Sequence, residues 1–125
     1  VRVMYNTNGI NGFAQELVLR LLTTPEGRAA VTAFKERTTR DIALNIDYLR
    51  ERGFLAEEFY HGTSPRGIFV IVNRSEQELL DHYIGAVGLD FFTKTNQGYA
   101  KRFARVCVSV PHEKLVQYFD DLIIR

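Results

Sequence analysis

Few side chains in this chain are placed to make or break bonds. Cys107 is the only cysteine, and it lies within an apolar run where a thiol acts as inert packing. Neither His82 nor His112 stands at a spacing that would make it the base for that thiol, and His61 reads as a loop residue. The carboxylate pairs Glu57-Glu58 and Asp120-Asp121 are sequence neighbours. On a strand such neighbours point to opposite faces, and on a helix they diverge by about 100°, so both make poor acid-base pairs. There is no glycine-rich phosphate loop and no zinc signature. The sequence therefore predicts a protein that is not an enzyme and has no metal and no cofactor. What remains is the chemistry of cations, which attract phosphate and carboxylate groups: Arg28, Lys35, Arg37 and Arg40 in one stretch, and Arg66 within the turn-rich run His61-Gly62-Thr63-Ser64-Pro65-Arg66-Gly67.

The overall charge of +1 argues against nucleic acid, because affinity for it rests largely on cations meeting phosphates. Over residues 1–74 there are ten Lys or Arg against eight Asp or Glu, and over 75–125 six against seven, so neither half is strongly basic. Asp41 and Asp47 oppose the cations of the central stretch. The plain alternative is that these charges are ordinary solvated helix surface.

The elements that must position those cations can be read from the spacing. Thr38, Thr39, Arg40 and Asp41 lead into Ile42, Ile46 and Leu49, which line one helical face. Basic residues in the last turn and Gly53 just beyond predict a stop after residue 52. Phe54 and Leu55 then dock the exiting chain. Glu57 to Tyr60 and Ile68 to Val72 read as two strands joined by the loop that carries Arg66. Upstream, Thr24-Pro25-Glu26 predicts a helix start, with the helix running to about Phe34. Gly27 near its beginning costs roughly 1 kcal/mol against alanine if it lies inside the helix. Before that, Phe13, Leu17, Leu21 and Leu22, with Ala14 and Val18, predict a first helix entered through Asn6 to Gly9 and Asn11-Gly12.

Three helices followed by a hairpin, with Ile46, Leu49, Gly53, Phe54 and Leu55 at the end of the third helix, resemble the winged helix-turn-helix family over about residues 10–74. The resemblance implies duplex DNA binding through the helix 38–52 and the wing 61–67, by a transcription regulator or a replication initiator-type protein. It implies contacts from Arg28, Lys35, Arg37, Thr38, Thr39, Arg40, Ala43 and Arg66, since phosphates and base edges are met there in that fold. The chain departs from the family at Lys35-Glu36-Arg37, an all-charged run where the turn between helices two and three normally carries a small and an apolar residue. A near-neutral charge and two aspartates on the recognition helix fit the other use of this fold, a protein-protein interaction module within a larger assembly.

Beyond the hairpin, Ser75-Glu76-Gln77-Glu78 is a capping box that starts a helix through Leu79, Leu80, Tyr83 and Ile84, ending near Gly85 or Gly88. Thr95 or Asn96 starts a short helix. Phe91, Phe92, Tyr99 and Phe103, interleaved with Lys94, Lys101 and Arg102, suit core packing better than a stacking surface for single strands. Ala104 to Val110 alternates as a strand, and Pro111 opens a last helix whose Leu115, Phe119, Leu122 and Ile123 form a stripe. That stripe either closes its own core or pairs with a second copy, making a possible homodimer through the C-terminal helix.

The expected fold is α+β and mainly helical: a winged helix-turn-helix unit of three helices plus a β-hairpin wing, with a C-terminal helix-strand-helix extension. Its parts are an arm or linker 1–9, a winged-helix domain 10–74 and an extension 75–125. A chain of 125 residues with 46% hydrophobic content can bury a core without disulfides or metal. No apolar run approaches the ~20 residues needed to span a bilayer, and no signal pattern opens the chain, so the expectation is no membrane and a cytoplasmic or nuclear, not secreted, location. Val1 rather than methionine leaves room for a leading methionine or a longer N-terminal region.

Overall fold

The computed structural model describes residues 11–124, so the expected N-terminal arm lies outside the described residues. The fold is α+β, and the chain divides into two compact units, Val1–Arg37 and Thr38–Arg125. This boundary falls between the expected second and third helices, not at the 74/75 junction.

In the first unit, helix α1 (Gly12–Thr23) is capped by Asn11, whose side-chain oxygen accepts from the Phe13 and Ala14 amides. It gives way at Thr24 to helix α2 (Pro25–Glu51). Thr24 serves both ends of the junction: its hydroxyl donates to the Arg20 carbonyl at 2.7 Å and accepts from the Gly27 amide at 3.0 Å. A Cβ on residue 27 would lie only 2.5 Å from the Leu21 carbonyl oxygen and 2.6 Å from the Leu21 Cα. Glycine at this position is what lets the two helices meet so closely, which offsets its unfavourable helix propensity.

The expected break at Lys35-Glu36-Arg37 does not form. Helix α2 passes through these residues without interruption to Glu51. Lysine, glutamate and arginine are all strong helix formers, and no glycine or proline lies between Arg28 and Arg52 to end the hydrogen-bond ladder. The three-helix unit is therefore a pair of helices, and the segment expected as a separate recognition helix is the C-terminal half of α2.

That half enters the second unit as expected. Ile46 and Leu49 are buried and Ile42 is partly buried, while Arg40, Ala43, Leu44 and Asp47 are exposed. Gly53 takes φ +76° and the amides of Phe54 and Leu55 both donate back to the Leu49 carbonyl, which closes the helix end. Phe54 and Leu55 are then buried in the core.

The two-stranded wing also differs from expectation. Glu57–Phe59 is a 3-10 turn, and β1 (Phe69–Val72) takes its strand partner from far along the chain. Helix α3 (Glu76–Asp81), capped by Ser75, is followed by β2 (Ala86–Gly88), the short helix α4 (Gln97–Ala100), β3 (Ala104–Cys107) and helix α5 (His112–Ile124). The sheet is antiparallel throughout in the order β1-β3-β2, with Val70 opposite Val106, Val72 opposite Ala104, and Ala86 and Gly88 opposite Val106 and Ala104. What remains of the hairpin is a single bridge, Leu55 to Val72. The Ala56 amide donates to the Ile71 carbonyl, and the Ile71 amide donates to the Tyr60 hydroxyl instead of to a strand. A side chain thus supplies what a backbone would have supplied, so 57–60 has no need to be extended.

Residues 104–110 alternate as predicted: Ala104, Val106 and Val108 are buried, Arg105 and Cys107 less so. The inner face packs against Ile46, Leu49, Phe54, Leu79, Leu115 and Phe119. Of the α5 stripe, Leu115 and Phe119 are buried in this core and Leu122 is partly buried against it, while Ile123 is exposed, so most of the surface expected for a homodimer through the C-terminal helix serves the core. Helix α3 stops at Asp81, earlier than expected, because Tyr83 turns into the left-handed region at φ 62°.

One polar side chain ties these parts together. Asn45 is fully buried; its amide nitrogen donates to the Val108 carbonyl at 2.8 Å and the Val110 carbonyl at 2.9 Å. Its oxygen is therefore the acceptor for His112 Nδ1 at 2.8 Å. One turn on, the Tyr48 hydroxyl donates to Asp120, and burial with the neighbouring carboxylate pushes the Tyr48 phenol well above its ordinary value. Replacing Asn45 with leucine keeps the volume but strands two carbonyls and a ring N–H. The expected loss is about 3 kcal/mol or more, read as a lower urea midpoint with an unchanged slope.

Candidate functional site

The residues expected to touch DNA are split by the fold. Arg28, Lys35 and Arg37 lie in the first unit. Arg28 and Lys35, seven residues apart, share a helix face; Arg37, two residues further, points to the opposite side. In the second unit, Thr39 and Ala43 line a groove of about 420 Å³ with Ile42, Ile46 and Asp47, a stripe at spacings of three and four along α2. Ser64, Pro65, Arg66, Gly67 and Ile68 form its other wall. The structure thus brings together Thr39, Ala43 and Arg66 but leaves Thr38 and Arg40 outside the groove.

The loop that carries Arg66 is held from the end of α2. Arg50 Nε pairs with Glu57 at 2.6 Å and its Nη2 donates to the Thr63 carbonyl at 2.6 Å. His61, Gly62 and Gly67 all have positive φ, and Pro65 is buried beneath them, so Arg66 is presented on a folded turn with its side chain exposed. Electrostatically the groove is mixed: Asp47 and Arg66 bring opposite charges, and the floor is apolar. Such a lining suits a polypeptide segment better than a phosphate.

A second concavity of about 380 Å³ lies between Ile84, Val106, Leu115 and Phe119, with Tyr83, Lys114 and Tyr118 also lining it. Cys107 is in its wall, with Sγ 3.0 Å from the Ser109 hydroxyl. His112, turned toward Asn45, is part of the scaffold. Among the described residues, no group of three or more His, Cys, Asp or Glu side chains is placed to hold a metal ion. No described helix is long and apolar enough to cross a membrane.

The aromatic residues expected in the core are mostly outside it. Phe103 is 3% exposed, but Phe91 is 78%, Phe92 53% and Tyr99 50% exposed. Beside them is an arrangement that the sequence reasoning did not find: the Arg105 guanidinium carbon lies 4.2 Å from the Phe69 ring centroid and 5.0 Å from that of Phe92. These residues belong to the outer face of the sheet, because Arg105 and Phe69 alternate with the buried Val106 and Val70. The available signal was local: from Phe91 to His112 the chain has four Lys or Arg and no Asp or Glu, a run hidden by the charge of the whole C-terminal half.

No family model matches the chain, and neither does any curated protein or solved structure with which it was compared. The Arg50 clamp makes a direct prediction. Arg50→Ala should leave the unfolding free energy within about 1 kcal/mol of the wild-type value, as for other partly exposed pairs. It should nevertheless speed proteolytic cleavage within 61–67, measured by mass spectrometry of a limited digest.

Proposed function

We propose that this chain is a protein-interaction module that joins an assembly through helix α1. The observation that supports the reading is that none of the twelve residues of α1 is buried, although Phe13, Leu17, Val18, Leu19 and Leu22 are all large and apolar. Phe34 on α2 is exposed in the same unit. A helix that is apolar around most of its circumference belongs in contact with other protein. Each such side chain gains roughly 1.5–3 kcal/mol when fully removed from water, so the drive to cover them is large. We take α1 of a second copy as the occupant in the purified protein.

Sedimentation velocity over a hundred-fold range of concentration should therefore show a mass above the monomer that falls on dilution. The double variant Leu17→Glu with Leu22→Glu should sediment as a monomer with the second unit's near-ultraviolet circular dichroism unchanged. A wild-type chain that is monomeric at every concentration, with α1 helical, overturns the reading.

Duplex DNA binding by residues 38–52 and the loop 61–67, as in a transcription regulator or replication initiator, is the second reading. Its support is that Thr39, Ala43 and Arg66 share one groove. It ranks lower because α2 offers no separate recognition helix and Asp47 in the same groove repels phosphate. Under this reading Arg66→Ala weakens binding to all duplexes and flattens the salt dependence by about one unit of slope, whereas Arg40→Ala costs ~1–3 kcal/mol at one base position. Absence of any salt-dependent duplex affinity in fluorescence anisotropy removes it.

A further inference from the structure

The sheet of the second unit has two faces of different chemistry. The inner face carries Val70, Val72, Ala104 and Val106, all buried in the core. By strand alternation the outer face carries Phe69 and Ile71 on β1, Val87 on β2, and Arg105 and Cys107 on β3. Phe69 is exposed, as are Phe91 and Phe92, which follow β2 and meet edge to face at 5.3 Å.

Arg105 is at the centre of this surface, on the middle strand. Its guanidinium is held between the Phe69 and Phe92 rings, and its Nε is buried without a hydrogen-bond partner among the described residues. No described carboxylate pairs with it. A cation fixed by two rings and left without an anion is ready to take one. Next along the same strand direction, Phe103 contacts Tyr99 and Phe59, each at 5.1 Å, and Arg102 lies 5.7 Å over the Tyr99 ring. Lys94 and Lys101 add two exposed cations.

The nearest acids in sequence are directed away. A Cβ on Gly88, which faces inward opposite Ala104, would meet Asp90 Oδ1 at 2.5 Å and Glu76 Oε2 at 3.1 Å. Both carboxylates therefore lie on the inner side of β2. The outer surface combines exposed rings with cations that form no ion pair among the described residues, and no acid occurs between Phe91 and His112 in sequence.

We propose that this outer face binds single-stranded nucleic acid, with unpaired bases stacking on Phe92, Phe69 and Tyr99 and phosphates meeting Arg105, Arg102, Lys94 and Lys101. The charge complementarity selects a polyanion, and the exposed rings select one whose flat groups are free to stack. A duplex keeps its base faces inside the helix, so it satisfies only the first condition. This site is independent of the association through α1.

The test uses the full-length chain and fluorescence anisotropy with a labelled twenty-nucleotide oligothymidylate, the matching duplex and heparin. The single strand should bind more tightly than the duplex, with a log-log salt slope of roughly −2 to −3 for four phosphate contacts. Phe92→Leu, which keeps an apolar side chain but removes the ring, should weaken single-strand binding roughly ten-fold, and Tyr99→Leu similarly. Both rings are half exposed, so thermal melting should confirm that each variant stays folded. Arg105→Gln should weaken binding and reduce the slope by about one unit. Equal affinity for single strand, duplex and heparin with no effect of either ring variant would identify a nonspecific polyanion surface and overturn the proposal. So would the absence of single-strand binding at low salt.

Discussion

Asn45 is the constraint from which the second unit is organised. A buried amide must have its donors and acceptor matched, and this one finds two carbonyls in the β3–α5 connection and the ring of the first residue of α5. Those three partners are separated from it by more than sixty residues of chain. Hydrophobic contacts alone would allow α2 to slide or rotate over the sheet at modest cost. Three directional bonds from one side chain define both the height and the rotation of α2.

With α2 fixed, the remaining contacts follow. Ile46 and Leu49 share one buried cluster with Val106 and Val108, and the turn at Gly53 brings Phe54 against Phe119 at 5.1 Å between ring centroids. The return of the chain through Leu55 and Ala56 covers the open edge of β1, where Tyr60 completes the hydrogen bonding with its hydroxyl. An edge strand closed in this way is a poor template for further pairing. The inner face and the β1 edge are therefore committed to the fold, while the outer face carries the exposed Phe69.

The two units handle apolar surface in different ways. In the second, helix α5 buries Leu115 and Phe119 within its own core, so the terminal stripe serves the subunit. In the first, α1 buries none of its residues, and its close junction with α2 at Gly27 fixes the backbone while the side chains remain in solvent. Association through α1 and nucleic acid on the sheet face would together place several basic aromatic surfaces in one particle, which raises the effective concentration of each for a long strand.

The sequence by itself determined the punctuation: the caps at Thr24-Pro25, Ser75 and Pro111, the stop at Gly53, the buried face of residues 42–49 and the alternation of 104–110. Each of these depends on interactions within a few residues, and so is written locally. The break at 35–37 came from a family pattern, while the local propensities of Lys35, Glu36 and Arg37 already favoured a continuous helix. Tertiary structure alone decided the partner of β1, because strand pairing depends on which distant segment arrives at the edge. It also decided the roles of the aromatic residues. The composition of residues 91–103 is the same whether its rings face inward or outward. Only the tertiary structure covers Phe103, with the Tyr99 and Phe59 rings, and leaves Phe91, Phe92 and Tyr99 exposed, Phe92 against the Arg105 guanidinium.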